Sequence, residues 1–207
     1  MCYEVIMSSK RYERFKKIFS DHHGFLRVSD AIKLGIPEHI VYEMHQKGEL
    51  KREGRGLYHL VDSIPLGNPD LVQVSLLIPK GVICLISALY FYELTTQIPY
   101  SVFVALPKNS GRPRIEYPPI EVFWIIPALH LIGVDEHIID GTKVKIYNRE
   151  KTITDCFKFR KRIGENIAVE ALKEYVNQPQ PDFHTLLEYA KKNRVEKLIT
   201  PYLKSLI

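Results

Sequence analysis

The chain has 207 residues, a formal net charge of +5, and ordinary apolar (45%) and charged (26%) fractions, which exclude a collagen-like, low-complexity or strongly disordered protein. This mild positive charge permits an anionic partner without requiring one. The three cysteines are scattered and include no CxxC pair, which excludes a zinc ribbon and a thioredoxin-like site and favours a reducing, cytoplasmic location.

The first sixty residues predict three helices. A helix near Lys10–Asp21 carries apolar residues at helical spacing. A short strand, Phe25–Arg27, leads into a second helix, Val28–Leu34, with Ser29 as its predicted capping residue. Gly35 ends that helix. A third helix follows over Pro37–Lys47, with Pro37 at the first helical position, where its missing N–H costs nothing.

A β-hairpin is predicted directly after the third helix. Its strands are Glu49–Arg52 and Gly56–Leu60, and its tip is Glu53-Gly54-Arg55. Two helices meeting at a sharp turn, followed by a basic hairpin, are typical of a winged helix-turn-helix, a shape that enters DNA grooves. The segment Val61–Asp70, which contains Pro and Gly, is the expected linker between residues 1–62 and residues 63–207.

The second part of the chain is predicted to contain buried strands followed by helices. The segment Val82–Tyr92 is too short to span a bilayer and predicts a core helix, so no membrane partner is expected. The strand candidates are Gln73–Ile78, Tyr100–Leu106, Ile120–Ile126 and Thr142–Tyr147. A Pro-rich loop over 108–119 joins the second candidate to the third. The last third is helical, with Pro201 expected to kink or split the final helix. The expected fold class is therefore α+β, with a mixed α/β C-terminal domain and a helical tail.

Several short phrases, in this order and spacing, resemble the AbiEi family of abortive-infection antitoxins. They are the turn at Gly35-Ile36, Arg55-Gly56-Leu57-Tyr58, Ile86-Ser87-Ala88-Leu89, Leu94-Thr95-Thr96-Gln97-Ile98-Pro99, Val144-Lys145-Ile146-Tyr147, Arg149-Glu150-Lys151-Thr152-Ile153-Thr154-Asp155, Leu187-Glu188-Tyr189-Ala190 and Tyr202-Leu203. The resemblance implies a winged helix that binds the promoter of its own operon and a C-terminal domain that neutralises a toxin. It also implies that the toxin is nucleotidyltransferase-like, and it does not imply direct contact between the two proteins.

The candidate DNA-binding residues lie on the first turn of the second helix, the outer face of the third helix and the hairpin. They are Ser29, His39, Tyr42, His45, Gln46, Lys47, Lys51, Arg52 and Arg55. The amide of Gln46 has the groups needed to pair with adenine, and Arg55 at the tip suits a minor groove or a phosphate. The same residues also fit a solvated helix face and an ordinary charged hairpin, and capping alone accounts for Ser29.

A second candidate patch lies between residues 143 and 162, where eight basic residues stand against two acids. The basic residues are Lys143, Lys145, Arg149, Lys151, Lys158, Arg160, Lys161 and Arg162. Either this segment contacts flanking DNA, RNA or an acidic partner, or it is a solvated face in which Lys151 and Asp155 pair weakly.

No catalytic constellation, metal-ligand set or cofactor motif is evident, so the sequence does not favour an enzyme. The leading hypothesis is a repressor and antitoxin of a phage-defence operon that autoregulates its promoter, acting on inverted repeats. The alternative is an interaction module that binds an acidic protein or RNA through the winged helix and the basic C-terminal face.

Overall fold

The computed structural model describes the backbone of residues 2–63 and 67–207, and side chains from residue 11 onward within those ranges. The middle of the expected linker, residues 64–66, therefore lies outside the described residues. The elements up to residue 60 are α1 (Cys2–Asp21), β1 (Phe25–Arg27), α2 (Val28–Lys33), α3 (Glu38–Gln46), β2 (Leu50–Gly54) and β3 (Leu57–Leu60).

The N-terminal part has one apolar core shared by its helices and its small sheet. The sheet is antiparallel with the strand order β1-β3-β2. Phe15 and Phe19 of α1 pack with Ile40, Val41 and Met44 of α3, and all five are buried. The apolar stripes predicted for α1 and α3 are thus confirmed, and so is strand β1 with its bounds.

Two predicted N-terminal helix positions in this part are wrong, the cap of α2 by two residues and the start of α3 by one. Ser29 does not cap α2, because the helix begins at Val28 and the N-cap position is Arg27, which makes no side-chain cap. The cause is the sheet: Arg27 pairs with Leu57, and the N–H of Val28 donates to the carbonyl of Gly56 at 2.9 Å. Pro37 is the N-cap of α3 rather than its first helical residue, since its ψ of 142° keeps it extended.

The second part contains a five-stranded mixed sheet and eight helices within residues 67–207. The elements are α4 (Pro69–Leu77), β4 (Val82–Ile83), α5 (Leu85–Phe91), β5 (Val102–Pro107), β6 (Ile120–Ile125), α6 (Pro127–His130), β7 (Val134–Ile139), β8 (Thr142–Tyr147), α7 (Arg149–Lys158), α8 (Arg160–Ile163), α9 (Glu165–Asn177), α10 (Phe183–Asn193) and α11 (Glu196–Leu206). The strand order is β6-β5-β4-β8-β7. The pairs β5–β6 and β4–β8 are parallel, and the pairs β4–β5 and β7–β8 are antiparallel.

Helices cover both faces of this sheet. On β5 the side chains alternate: Phe103 and Ala105 belong to the core under α7, α9, α10 and α11, whereas Val104 and Leu106 belong to the core under α4. Burial on both faces explains why β5 and β6 are almost continuously apolar. The prediction of an α+β class with a helical C-terminal tail is confirmed.

Two predictions for the second part are wrong, and of the two outcomes expected at Pro201, a kink or a split, the split is wrong. The segment Gln73–Ile78 lies mostly in helix α4 instead of a strand, because Val74 packs on the sheet from above and the tertiary contact overrides β-propensity. Val82–Tyr92 is not one core helix, since β4 pairs with β5 and β8 before α5 begins at Leu85, whose φ is +48°. Pro201 lies inside α11 and does not split it.

The structure also bears on membrane insertion. No helix within the described ranges is both long and apolar enough to cross a lipid bilayer.

Candidate nucleic-acid interface

The outer face of α3 is exposed to solvent. Its buried side is formed by Ile40, Val41 and Met44, and the opposite side presents His39, Tyr42 and Gln46, with Tyr42 44% exposed. A helix of this length with one buried stripe and one open polar face has the dimensions needed to lie in a major groove. Neither Tyr42 nor Gln46 packs beneath the second part of the chain.

Contacts with the hairpin hold two side chains of this face in place. The ring of Tyr58 on β3 lies edge-on to Tyr42 and to His45, with centroid distances of 6.2 and 5.5 Å. His45 Nδ1 donates to the carbonyl of Leu50 at 2.8 Å. The Tyr42 hydroxyl donates to Glu38 Oε1 at 2.8 Å, which raises the pKa of Tyr42. These contacts reduce the rotamer freedom that a ligand would otherwise have to remove.

Lys47, at the end of α3, already has partners within the protein. Its ammonium lies 2.9 Å from Glu43 Oε1, donates to the Tyr12 hydroxyl at 3.2 Å, and sits 4.4 Å from the centre of the Tyr12 ring. The hydrogen bonds to Glu43 and then to Tyr12 raise the pKa of Lys47. By contrast, His39 and Gln46 make no side-chain hydrogen bond to any residue that the structure describes, so they are available to a ligand.

The predicted hairpin is present, but its tip is shifted. β2 continues through Gly54, with a bulge between Arg52 and Gly54, so the turn is Arg55-Gly56 rather than Glu53-Gly54-Arg55. Gly56 has a φ of +69°, a conformation that other residues adopt only with strain. Arg52 and Arg55 are exposed, while the Glu53 side chain is only 7% exposed and lies 3.0 Å from the Lys51 ammonium.

The hairpin is docked on helix α4. Gln73 Nε2 donates to Glu53 Oε2 at 3.2 Å and to the carbonyl of Tyr117 at 3.0 Å. A Cβ placed on Gly54 would lie 2.5 Å from Leu77 Cδ2, which shows how closely α4 approaches β2. These contacts fix the orientation of the hairpin relative to the second part of the chain.

The charge around α3 and the hairpin is balanced. Residues 36–60 contain four Lys or Arg residues and four Glu residues. Two of the four cations, Lys47 and Lys51, lie in ion pairs with Glu43 and Glu53. The surface therefore does not attract anions indiscriminately, and any nucleic-acid contact here must depend on the placement of individual side chains.

The basic segment 143–162 does not form one solvated stripe, so that interpretation is wrong for Lys151 and Asp155. Both side chains are only 1% exposed and pair with each other, because α7 is enclosed between the sheet and α9 and α10. Most of the other cations have partners at hydrogen-bonding distance. These partners are Glu136 for Lys143, the Pro79 carbonyl for Lys145, Gln178 for Arg149, Asn193 for Lys158, the Phe157 carbonyl for Arg160 and Glu121 for Arg162. Lys161 is exposed.

The thiols of Cys84 and Cys156 are buried. Burial raises the pKa of Cys84 and Cys156, so both thiols stay protonated and are poor nucleophiles. Within the part of the chain that the structure describes, no three His, Cys, Asp or Glu residues are grouped so as to hold a metal ion.

A partly buried histidine, His59, and a buried one, His130, predict a dependence of stability on pH. Burial lowers the pKa of His59, which stacks on Phe25 at 4.1 Å, and of His130, whose Nε2 donates to the Ala105 carbonyl at 3.3 Å. Because their folded pKa lies below the unfolded value of about 6.5, the unfolded chain takes up protons first as the pH falls. The stability present above that value is therefore lost as the pH decreases.

We expect the urea midpoint of unfolding to be lower at about pH 5.5 than at about pH 7.5. Both pH values lie above the range in which ordinary carboxylates titrate, so the difference reports the histidines. His130→Gln, which keeps a donor for Ala105 and removes the titrating ring, is expected to reduce the difference. Equal midpoints at both pH values would contradict the prediction.

Comparison with known proteins finds a family-level similarity in the N-terminal part of the chain. Residues 13–61, which run from within α1 to just beyond β3, match a family model described as the AbiEi antitoxin transcriptional regulator. The resemblance to AbiEi antitoxins is thereby confirmed over this part of the chain, about a quarter of its 207 residues. None of the curated proteins compared with this chain matches it.

Proposed function

We propose that this chain is a DNA-binding repressor and antitoxin of the AbiEi type, which autoregulates its own promoter in a phage-defence operon. In this proposal residues 1–62 are a winged helix-turn-helix domain and residues 63–207 are the antitoxin domain. The match of residues 13–61 to the AbiEi regulator family supports the regulatory role. The proposed site of action is the cytoplasm.

The observation that carries this proposal is the exposed face of α3 beside a docked hairpin. The helix enters the major groove, where the Gln46 amide pairs with adenine and His39 and Tyr42 reach base edges. Arg55 at the hairpin tip contacts a phosphate or the minor groove. A protein bound in this way occupies the promoter and blocks transcription.

The remaining candidate residues have supporting roles in this proposal. Lys47, Lys51 and Arg52 border the groove-facing surface and meet phosphates, His45 is oriented by its bond to Leu50, and the exposed Ser29 hydroxyl lies in the first turn of α2. An inverted-repeat operator places two copies on the DNA.

The antitoxin role is assigned to the second part of the chain. The toxin is nucleotidyltransferase-like, and neutralisation does not require the two proteins to touch. Since the residues proposed to read bases, on α3, and the hairpin arginines all belong to the first part, regulation and neutralisation are expected to be separable by mutation of these residues.

A gel-shift titration with the DNA upstream of the chain's own reading frame tests the proposal. We expect a complex whose log K falls with log[salt], with a slope of about 0.9 for each phosphate neutralised. A scrambled duplex of equal length is expected to bind about a thousandfold more weakly or worse. Equal affinity for both duplexes would remove the argument for sequence-specific repression.

The alternative is an interaction module that binds an acidic protein or RNA through the winged helix and the basic C-terminal face, since the balanced charge of residues 36–60 does not by itself select duplex DNA. The same titration separates the two functions. A module of this second kind gives no shift with the upstream duplex at moderate salt, and instead shifts single-stranded RNA.

A further inference from the structure

A cleft of about 500 Å³ lies between the hairpin tip and the loop that joins β5 to β6. Arg52 and Arg55 of the hairpin line one wall of the cleft, and Arg114 and Glu116 of the loop line the other. Leu77 of α4 also lines the cleft. Residues far apart in the sequence, from both parts of the chain, therefore meet in one concave surface.

The cleft is cationic because its arginines are not neutralised. Arg52, Arg55 and Arg114 form no ion pair with any residue that the structure describes. The acid on the hairpin wall, Glu53, is occupied by Lys51 and Gln73. Glu116 therefore remains as the one acid on the lining that opposes three arginines.

Both walls of the cleft are held in place. The loop is tied to β6 at its start, where the N–H of Lys108 donates to Ile125 at 2.8 Å and Trp124 Nε1 donates to Ser110 at 3.3 Å. Near its end, the carbonyl of Tyr117 accepts from Gln73 at 3.0 Å, and the same amide holds Glu53 of the hairpin. The arginines are thus presented by preorganised backbone, which lowers the entropic cost of binding.

We propose that this cleft binds backbone phosphates of duplex DNA, so that the β5–β6 loop extends the contact made by the hairpin. This inference rests on the proposed DNA-binding function. The planar guanidinium of arginine suits bidentate contact with phosphate oxygens. A strand that reaches Arg55 at the tip lies next to Arg114, because both side chains line the same cleft. The second part of the chain then contributes directly to DNA affinity, through the loop at 108–119 instead of the basic segment 143–162.

The test is the variant Arg114→Glu, compared with Lys204→Glu as a matched charge reversal. Both side chains are exposed, and Lys204 lies on α11, on the opposite face of the sheet from α4. We expect Arg114→Glu to bind the upstream duplex at least about tenfold more weakly, with a salt slope smaller by about 0.9. Because phosphates carry no sequence information, the affinity of Arg114→Glu for the scrambled duplex is expected to decrease by a similar factor. Lys204→Glu is expected to change affinity by less than about threefold at physiological salt.

The outcomes separate this inference from the proposed function. If the unmodified protein binds the upstream duplex and Arg114→Glu binds it with the same affinity and salt slope, the cleft proposal is wrong and the repressor proposal stands. If the unmodified protein binds no duplex DNA, both fail, and a shift of single-stranded RNA that depends on Arg114 assigns the cleft to RNA. An unchanged melting temperature for Arg114→Glu shows that a loss of binding is not a loss of folding.

Discussion

Replacing Asp155 by alanine is expected to lower the free energy of unfolding by about 3–5 kcal/mol, the largest single effect on stability predicted for this chain. The Lys151 ammonium lies 2.5 Å from Asp155 Oδ1, and both side chains are only 1% exposed. The same ammonium sits 4.5 Å from the centre of the Tyr147 ring. Without the carboxylate, α7 would hold an uncompensated positive charge inside the core, where water cannot solvate it.

The loss would extend beyond the ion pair, because Asp155 also joins two helices. Asn193 on α10 donates from Nδ2 to Asp155 Oδ1 at 2.8 Å and to Thr154 Oγ1 at 3.0 Å. The alanine variant therefore leaves the Asn193 amide short of an acceptor as well as Lys151 without a counter-ion. We expect α10, which supplies Asn193, to lose protection from hydrogen exchange more than β5, whose side chains are all apolar and donate no hydrogen bond to this network.

A double variant provides the matched control for this prediction. Lys151→Met together with Asp155→Leu removes both charges and keeps apolar volume, and such replacements are often far less damaging than breaking the pair. We expect its urea midpoint, followed by circular dichroism, to lie clearly above that of Asp155→Ala. If the single variant loses less than about 1 kcal/mol, the pair is better solvated than its geometry indicates.

This ion pair also shows a limit of reasoning from the sequence. The spacing of Lys151 and Asp155 correctly predicts that they face each other on one helix, but spacing does not indicate whether that face meets water. The decisive contacts come from α9 and α10, more than ten residues further along the chain. Thr152 and Thr154 are buried as well, although threonine is more often exposed, so their residue type did not indicate the enclosure.

Elements determined by local pattern were predictable. The strand Thr142–Tyr147 has the bounds predicted from its alternation, and the glycines at 35 and 48 adopt the positive φ that ends helices. Elements that depend on distant partners were not predictable. The strand β4 has only two residues, and it exists because β5 and β8 flank it.

The candidate site was also predictable only where local pattern determines it. The buried stripe of α3 follows from its periodicity, and the exposure of His39, Tyr42 and Gln46 follows from that stripe. The docking of the hairpin on α4 did not follow, because a single Gln73 gives no sign that its amide will meet Glu53 and Tyr117. The cleft next to the tip is a consequence of that docking, so it too required the structure.

The largest functional effect is expected for the double variant Gln46→Ala with Arg55→Ala. Loss of the adenine contact costs about 1–3 kcal/mol, and loss of the charged contact at the tip costs a further amount of about 1.5–3 kcal/mol. Together these changes are expected to weaken promoter binding about a hundredfold or more, measured by gel shift. Both side chains are exposed, so the melting temperature is expected to stay within about 2 °C of that of the parent.

A second measurement tests whether promoter binding and toxin neutralisation belong to different parts of the chain. Expressed from an unrelated promoter together with the toxin of the proposed operon, the double variant is expected to restore growth as well as the unmodified protein does. The matched control, Gln97→Ala with Lys204→Ala, removes an amide and a positive charge from exposed positions outside the proposed interface and is expected to retain both properties. If the Gln46 and Arg55 variant folds but fails to neutralise the toxin, the DNA-binding surface takes part in neutralisation, and the two activities are not separable by part of the chain.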